Sequence, residues 1–338
     1  MRKPVLEVNN LQTHFFTDRG EVPAVDDVSF AIHSGEVLGI VGESGCGKSV
    51  TSLSVMGLIP SPPGKIVGGE ILFRHLEGKG EVTENLVTSS KKRMRQIRGN
   101  QVAMIFQEPM TSLDPLFTIG HQIMEAVKNH NKVTKKQARK IAIDMLNLVG
   151  IPRAGQIVDE YPHQLSGGMR QRVMIAIAMS CDPEVLIADE PTTALDVTIQ
   201  AQILEIMRKL NREKGTAIML ITHDLGVVAE MCDRVVVMYA GKVVEEGDVR
   251  SILKSPKHPY TQGLIKSLPK LHERDTRLYS IPGNVPKPGS IKQGCRFADR
   301  CSEVFDRCTL ENPELLTLKE GHSCRCFLYE RESEAAHV

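Results

Sequence analysis

An apolar run, Val37-Leu-Gly-Ile-Val41, breaks into Gly42-Glu43-Ser44-Gly45-Cys46-Gly47-Lys48-Ser49, and the segment Lys48 to Ile59 then carries apolar residues at helical spacing until Pro60. Strand, glycine-rich loop and helix form the context in which Gly-x-x-x-x-Gly-Lys-Ser binds the phosphates of a nucleotide. The glycines let the backbone curl so that successive N–H groups face the phosphates, and the helix N-terminus adds partial positive charge. Lys48 supplies a full charge for the β and γ phosphates, and Ser49 offers a hydroxyl to Mg²⁺, a hard ion that takes oxygen ligands. Gly42 to Val50 is therefore the predicted nucleotide-phosphate-binding segment. Cys46 fills a position that demands no thiol and reads as a tolerated small residue.

The rest of the chain is read around that loop. Its 338 residues allow two or three folding units, and one main domain with an extension fits best. Lys and Arg number 42 against 41 Asp and Glu, so no global field recommends nucleic acid or an anionic membrane as partner. The basic stretches 91–98 and 132–140 read as solvated helix faces. Apolar stretches such as Val173 to Ala178 fall well short of the ~18 residues that cross a bilayer, and the N-terminus has no apolar h-region or cleavage site. The expectation is a chain that stays in the cytoplasm.

Further buried-strand candidates are Val102 to Phe106, ending at Gln107, then Val185 to Ala188, then Ala217 to Ile221. Between the first two lies a helical block, with Thr134-x-x-Gln137 as a capping box, apolar Ala138, Ile141, Met145 and Leu148, and a stop at Gly150 and Pro152. It reads as an inserted helical subdomain over about 108–180. Another helix is expected over Thr198 to Asn211, with Ile199, Ile203, Ile206, Met207 and Leu210 on one face before Gly215. Strands alternating with helices imply an α/β core with a largely parallel sheet. After about Pro259 the pattern degrades, with Pro269, Pro282, Pro286 and Pro288 flanking Gly283 and Gly289, which reads as a linker to a cysteine-rich extension. The expected division is 1–259 and 260–338.

Val185-Leu-Ile-Ala-Asp189-Glu190 puts two carboxylates at the mouth of a buried strand. Beside a phosphate loop, Asp189 can hold the Mg²⁺ hydration shell while Glu190 polarises the water that attacks the γ phosphate. Glu190 is the candidate base.

Phosphate loops serve many machines, so a second motif narrows the choice. Leu165-Ser166-Gly167-Gly168-Met169-Arg170-Gln171 resembles the signature sequence of ABC ATPases, and Ser166 with the amides after it makes a second anion site at a helix start. In that family the signature of one copy closes over the ATP held by the other. The resemblance implies roles for Gln107 as the Q-loop, which also helps hold Mg²⁺ with Ser49 and Asp189. It makes Ala194-Leu195-Asp196 the D-loop, His223 in Leu-Ile-Thr-His-Asp the switch histidine, and Phe15 the aromatic that stacks on adenine. Phe16 is the rival, and the spacing to Ala24-Val25 favours Phe15.

The resemblance narrows further. Ile105-Phe-Gln-Glu-Pro-Met-Thr-Ser-Leu-Asp-Pro115, His258-Pro-Tyr-Thr and the tail Gly-Cys295-Arg-Phe-Ala-Asp-Arg-Cys301 look like the ATP-binding subunits of oligopeptide/dipeptide permeases, a subfamily that also handles nickel. It implies a P-loop NTPase of ABC type on the cytoplasmic side of the membrane. The partners implied are a second ATPase subunit (copy or paralogue), two transmembrane permeases and an extracytoplasmic binding protein. Nickel import stays open, because cargo is chosen by other chains. A soluble ABC ATPase acting on nucleic acid or ribosomes would call for a basic surface or coiled-coil insertion, and neither is visible. A redox protein centred on the tail, with ATP as regulator, is the third competing reading.

Of eight cysteines, Cys46, Cys181 and Cys232 are scattered, whereas Cys295, Cys301, Cys308, Cys324 and Cys326 crowd into the tail beside His322. In a cytosolic chain such clustering reads as metal binding before disulfides. Four thiolates satisfy an iron–sulfur cluster, and tetrahedral Zn²⁺ could use the same set. The family resemblance favours [4Fe-4S] on Cys295, Cys301, Cys308 and Cys326, with Cys324 in a usually apolar slot.

Overall fold

In the computed structural model of the protein, residues 3–18, 20–77, 80–107, 112–193, 195–268, 279–291, 293–318 and 321–330 are described. Glu108 to Thr111, where the helical block was expected to begin, together with Ala194 and Pro269, lie outside them. In chain order the strands are β1 (Pro4–Thr17), β2 (Gly20–His33), β3 (Val37–Val41), β4 (Gly64–Glu77), β5 (Gly80–Asn85), β6 (Val102–Ile105), β7 (Val185–Asp189), β8 (Ala217–Ile221), β9 (Arg234–Tyr239), β10 (Lys242–Asp248), β11 (Leu316–Thr317) and β12 (Ser323–Cys324). The helices that matter below are α1 (Lys48–Val55), α2 (Lys91–Ile97), α3 (Ile119–His130), α4 (Lys135–Leu148), α5 (Ala154–Ile157), α6 (Gly167–Met179), α7 (Val197–Lys214), α8 (Leu225–Met231), α9 (Val249–Lys254) and α10 (Pro259–Lys266). No helix among the described residues is long and apolar enough to cross a membrane.

The chain divides into two compact units, the first comprising 1–6, 32–37 and 73–221, the second 7–31, 38–72 and 222–338. In the first unit, β6, β7 and β8 are parallel, with Val102 opposite Val185, Ile105 opposite Ala188, and Asp189 opposite Ile221. Every residue of β7 and β8 is buried, as the continuous apolar runs predict for strands covered on both faces. Helices α3, α4 and α6 lie between β6 and β7 in the chain and pack on one another. Thr134 caps α4 with the expected capping box to Gln137. The buried face of α4 is Ala138, Ala142, Met145 and Leu146, which corrects the expectation for Ile141 and Leu148, both half-buried. Positions 138, 142, 145 and 146 share one face at i, i+3 and i+4 spacing, and packing centres the buried stripe there and leaves 141 and 148 at its margins. Helix α7 ends as expected, on Gly215 in the left-handed conformation.

In the second unit, β3 runs parallel to β9, with Leu38 opposite Arg234 and Val41 opposite Val237. Strand β10 pairs antiparallel with β9 and with β12, and β11 pairs antiparallel with β12. Helix α1 stops at Val55, short of the expected Ile59, because Gly57 turns left-handed at φ 59°.

The segment read as a linker begins instead as a helix. Residues 259–266 are helical, Pro259 sits in the first turn where its missing N–H costs nothing, and Tyr260 is fully buried. The turn before this helix is fixed by Glu245 of β10, whose carboxylate has no exposed surface. Glu245 accepts from the N–H groups of Lys257 (2.6 Å) and His258 (3.0 Å) and lies 2.7 Å from His322 Nε2. Arg325 donates to the Val243 carbonyl at 2.8 Å and to Asp27 at 3.1 Å, tying the tail to β10 and to the middle of β2.

His258 caps α10 by accepting the Tyr260 N–H on Nδ1 at 3.1 Å, and burial pushes its imidazole down to about 4 against an upward pull from Glu245. The folded value lies below the unfolded one, so between roughly pH 6.5 and 4 the unfolded chain binds the extra proton and stability falls as pH falls. His258→Asn, which keeps a capping oxygen without the titration, should remove on the order of 2–3 kcal/mol of that pH dependence. Urea unfolding of both proteins at pH 7 and pH 4.5 checks this; parallel losses would contradict it.

Candidate functional site

The expected phosphate-loop residues all lie in the second unit. Strand β3 delivers the chain to Gly42, whose φ of 152° is open to glycine alone and whose Cβ, if present, would stand 2.2 Å from the Met238 carbonyl oxygen. Gly47, at φ 104°, caps α1. Lys48 is buried, and its Nζ donates to the carbonyls of Gly42 (2.7 Å) and Glu43 (3.1 Å). Ser44, Gly45 and Ser49 are exposed and Val50 is half-buried. Cys46 is fully buried in the loop's underside, where burial raises its thiol above the ordinary range. A protonated, enclosed thiol agrees with a packing role.

Two partners of Glu43 were not legible in the sequence. Its N–H donates to the Tyr260 hydroxyl at 2.8 Å, and its carboxylate receives both arms of the Arg300 guanidinium at 2.7 and 3.0 Å. Next to Arg300 in the tail, Arg296 bonds Asp26 and the Ala240 carbonyl. Tyr260 and Arg300 lie inside motifs singled out only by resemblance; nothing local announces their partner. In the same unit the Thr222 N–H donates to the Ile40 carbonyl at 3.2 Å, which anchors exposed His223 beside the strand that carries the phosphate loop. Phe15 is half-buried and Phe16 is 49% exposed, on opposite faces of β1.

The acid–base candidates lie in the first unit, and the strand register brings two of them together. Ile105 is opposite Ala188, so two residues further on Gln107 comes level with Glu190, and Gln107 Nε2 donates to Glu190 Oε2 at 3.0 Å. Thr193 Oγ1 donates to the same oxygen at 2.9 Å. Asp189 is 4% exposed at the end of β7. The segment Leu165 to Gln171 opens α6: Leu165 is buried, Ser166 caps the helix by accepting from Met169 N–H, and Gln171 Nε2 donates to the Pro191 carbonyl at 2.5 Å. The side chain of Arg170 keeps its Nε buried without a hydrogen-bond partner. Asp196 caps α7 by accepting the Ile199 N–H at 2.9 Å.

Cys295, Cys301, Cys308 and Cys326 line one small cavity with Phe297 and Phe327, and Cys324 is not among its walls. Cys324 is fully buried in β12 opposite Glu245. Burial pushes the Cys326 thiol up to about 12 and raises Cys295 and Cys301 as well, so thiolates there require a compensating cation. Among the described residues no group of three or more His, Cys, Asp or Glu is arranged to hold a metal ion. His322, expected beside the cysteines in sequence, turns instead to Glu245.

The ABC transporter family pattern matches residues 25–193, and the pattern described as the oligopeptide/dipeptide transporter C-terminal region matches residues 244–308. The chain is 55% identical over 328 residues to the oligopeptide transport ATP-binding protein AppD of Bacillus subtilis (strain 168), covering 97% of this chain and 98% of AppD. To the dipeptide transport ATP-binding protein DppD of Escherichia coli (strain K12) it is 49% identical over 322 residues, covering 95% of this chain and 96% of that one. Among solved structures it is similar to the dimeric post-hydrolysis state of the ATP-binding cassette MJ0796 bound to ADP and Pi. That likeness has a TM-score of 0.63 and 26% identity, over 72% of this chain and 99% of that one.

The helix start at Ser166 yields a packing test. A Cβ on Gly168 would lie 2.8 Å from Ile199 Cγ2, whereas one on Gly167 meets nothing within 4 Å. Gly168→Ala should lose about 1–3 kcal/mol of stability by overpacking, and Gly167→Ala should lose none. Denaturant midpoints of the two variants decide it; equal midpoints would refute the α6–α7 contact.

Proposed function

The chain belongs to the ABC transporter family, in the branch that carries the oligopeptide/dipeptide transporter C-terminal region, and from that membership we propose that it is the ATP-hydrolysing subunit of an importer of dipeptides or oligopeptides. The observation that carries the cargo class is the 55% identity with AppD over 97% of the chain. The subunit works peripherally on the cytoplasmic face of the membrane. It acts with a second ATPase subunit, two transmembrane permeases and an extracytoplasmic binding protein.

In this reading Lys48 and the amides from Gly42 to Val50 bind the β and γ phosphates, and Phe15 stacks on adenine. Ser49, Gln107 and Asp189 present hydroxyl, amide and carboxylate oxygens, a hard donor set suited to Mg²⁺, which when bound neutralises phosphate charge. Glu190 accepts the proton of the attacking water, Gln107 and Thr193 orient its carboxylate, and His223 contacts the transferring phosphoryl group. Leu165 to Gln171 of one subunit closes over the ATP of the other, and Asp196 faces the same interface. Helices α3 to α6 belong to the inserted helical subdomain, about 108–180, within a cassette of 1–259 followed by the extension 260–338.

Closure of two such faces makes dimer stability follow nucleotide by linkage. Glu190→Gln, which binds without splitting ATP, should sediment as a dimer with MgATP, alone or with its partner subunit. A monomer under both conditions would overturn the two-faced site.

The reading extends to the tail, where Cys295, Cys301, Cys308 and Cys326 hold a [4Fe-4S] cluster. Its support is that these four thiols, and not Cys324, line one cavity. Anaerobically purified protein should contain iron and acid-labile sulfide, lost in Cys326→Ser and kept in Cys324→Ser. Stoichiometric zinc in such protein would replace the cluster with the ion, and the opposite mutant pattern would exchange the two cysteines.

A further inference from the structure

Glu43 is the second residue of the phosphate loop, and its N–H, its carbonyl and its carboxylate are each engaged by another residue. Its N–H donates to the Tyr260 hydroxyl at 2.8 Å, its carbonyl accepts from Lys48 Nζ at 3.1 Å, and its carboxylate takes the Arg300 fork at 2.7 and 3.0 Å. Arg300 is held in turn. Its Nη1 donates to the Tyr239 hydroxyl at 3.2 Å, its Nε donates to the Pro282 carbonyl at 2.8 Å, and the guanidinium lies over the rings of Tyr239 and Phe297. The arginine side chain is 5% exposed, and neither Tyr239 nor Tyr260 has exposed surface, so the groups that hold Glu43 are themselves set in close packing.

A loop with three glycines at positive φ, Gly42, Gly45 and Gly47, loses much conformational freedom when it is ordered around a ligand. If the fold has already ordered it, that cost falls on folding and not on binding. A carboxylate beside polyphosphate would also repel it unless neutralised. We propose that Tyr260 and Arg300 are positioning residues for nucleotide binding, which lock Glu43 from the C-terminal side of the chain and so hold the phosphate loop in its binding shape. The proposal rests on the reading of Gly42 to Val50 as the ATP site. It gives the C-terminal region a task at that site within the same chain, since both residues fall inside the stretch 244–308 that matches the oligopeptide/dipeptide transporter C-terminal region.

The test titrates MgATP into the full-length protein and measures steady-state turnover on the same preparations. Arg300→Ala should weaken ATP affinity and raise KM roughly ten-fold, and Tyr260→Phe roughly three-fold, with kcat at saturating ATP within about two-fold of the parent. Arg300→Lys, which keeps the charge without the fork, should recover part of the loss. In a Glu43→Ala background Arg300→Ala should cost no further affinity, because its route to the loop is gone. Tyr260→Phe removes one oxygen and keeps the buried ring, so it remains informative where Arg300→Ala folds poorly. If the variants melt earlier yet bind MgATP as the parent does, or if Arg300→Ala costs the same with and without Glu43, the residues are structural only and the proposal falls. Lys48→Ala separates the two failures: parent-like ATP binding by that variant overturns the ATP site itself, whereas its loss of binding beside unaltered Arg300 and Tyr260 variants overturns the lock alone.

Discussion

A carboxylate removed from water must find donors, because an unpaired charge in the interior costs several kcal/mol. Glu245 finds them in the N–H groups of Lys257 and His258 and in the His322 ring, three groups from two distant stretches of chain. The first two fix where α10 begins and so where Tyr260 stands, and Tyr260 takes the N–H of Glu43. The third fixes the entry to β12, after which Cys326 turns into the wall of the cysteine cavity. Phosphate loop and cavity thus hang from one buried charge, and Arg300, one residue before Cys301, bridges them by binding Glu43 while stacking on Phe297.

What was legible in the sequence is what local rules govern. The glycine loop, the capping box at Thr134, the stop at Gly215 and the strands 37–41 and 217–221 depend on residues within a turn or two of each other. Gln107 became legible as the partner of Glu190 only when the register set Ile105 opposite Ala188. The Arg300 to Glu43 pair spans 257 positions, and the chain offers 41 carboxylates from which to choose, so no local signal could name it. Over 259–266 the linker reading failed for a related reason. Proline in the first turn of a helix and proline in a loop look the same in sequence, and only the burial of Tyr260 separates them.

Glu190 shows how the first unit concentrates its specification on one side chain. It takes a left-handed φ of 47°, uncommon for a residue with a Cβ and less expected before Pro191, where steric contact favours extended backbone. Such a conformation costs on the order of 1–3 kcal/mol and persists only where the surroundings impose it. Here the Glu190 N–H is held by the Ile221 carbonyl at 2.9 Å, and Oε2 accepts from both Gln107 and Thr193. Two donors on one oxygen set the plane of the carboxylate. Gln171, reaching from α6 to the Pro191 carbonyl, grips the next residue along. The strained turn therefore joins the carboxylate to α6, so a displacement of that helix would re-aim Glu190 through two covalent residues and one hydrogen bond.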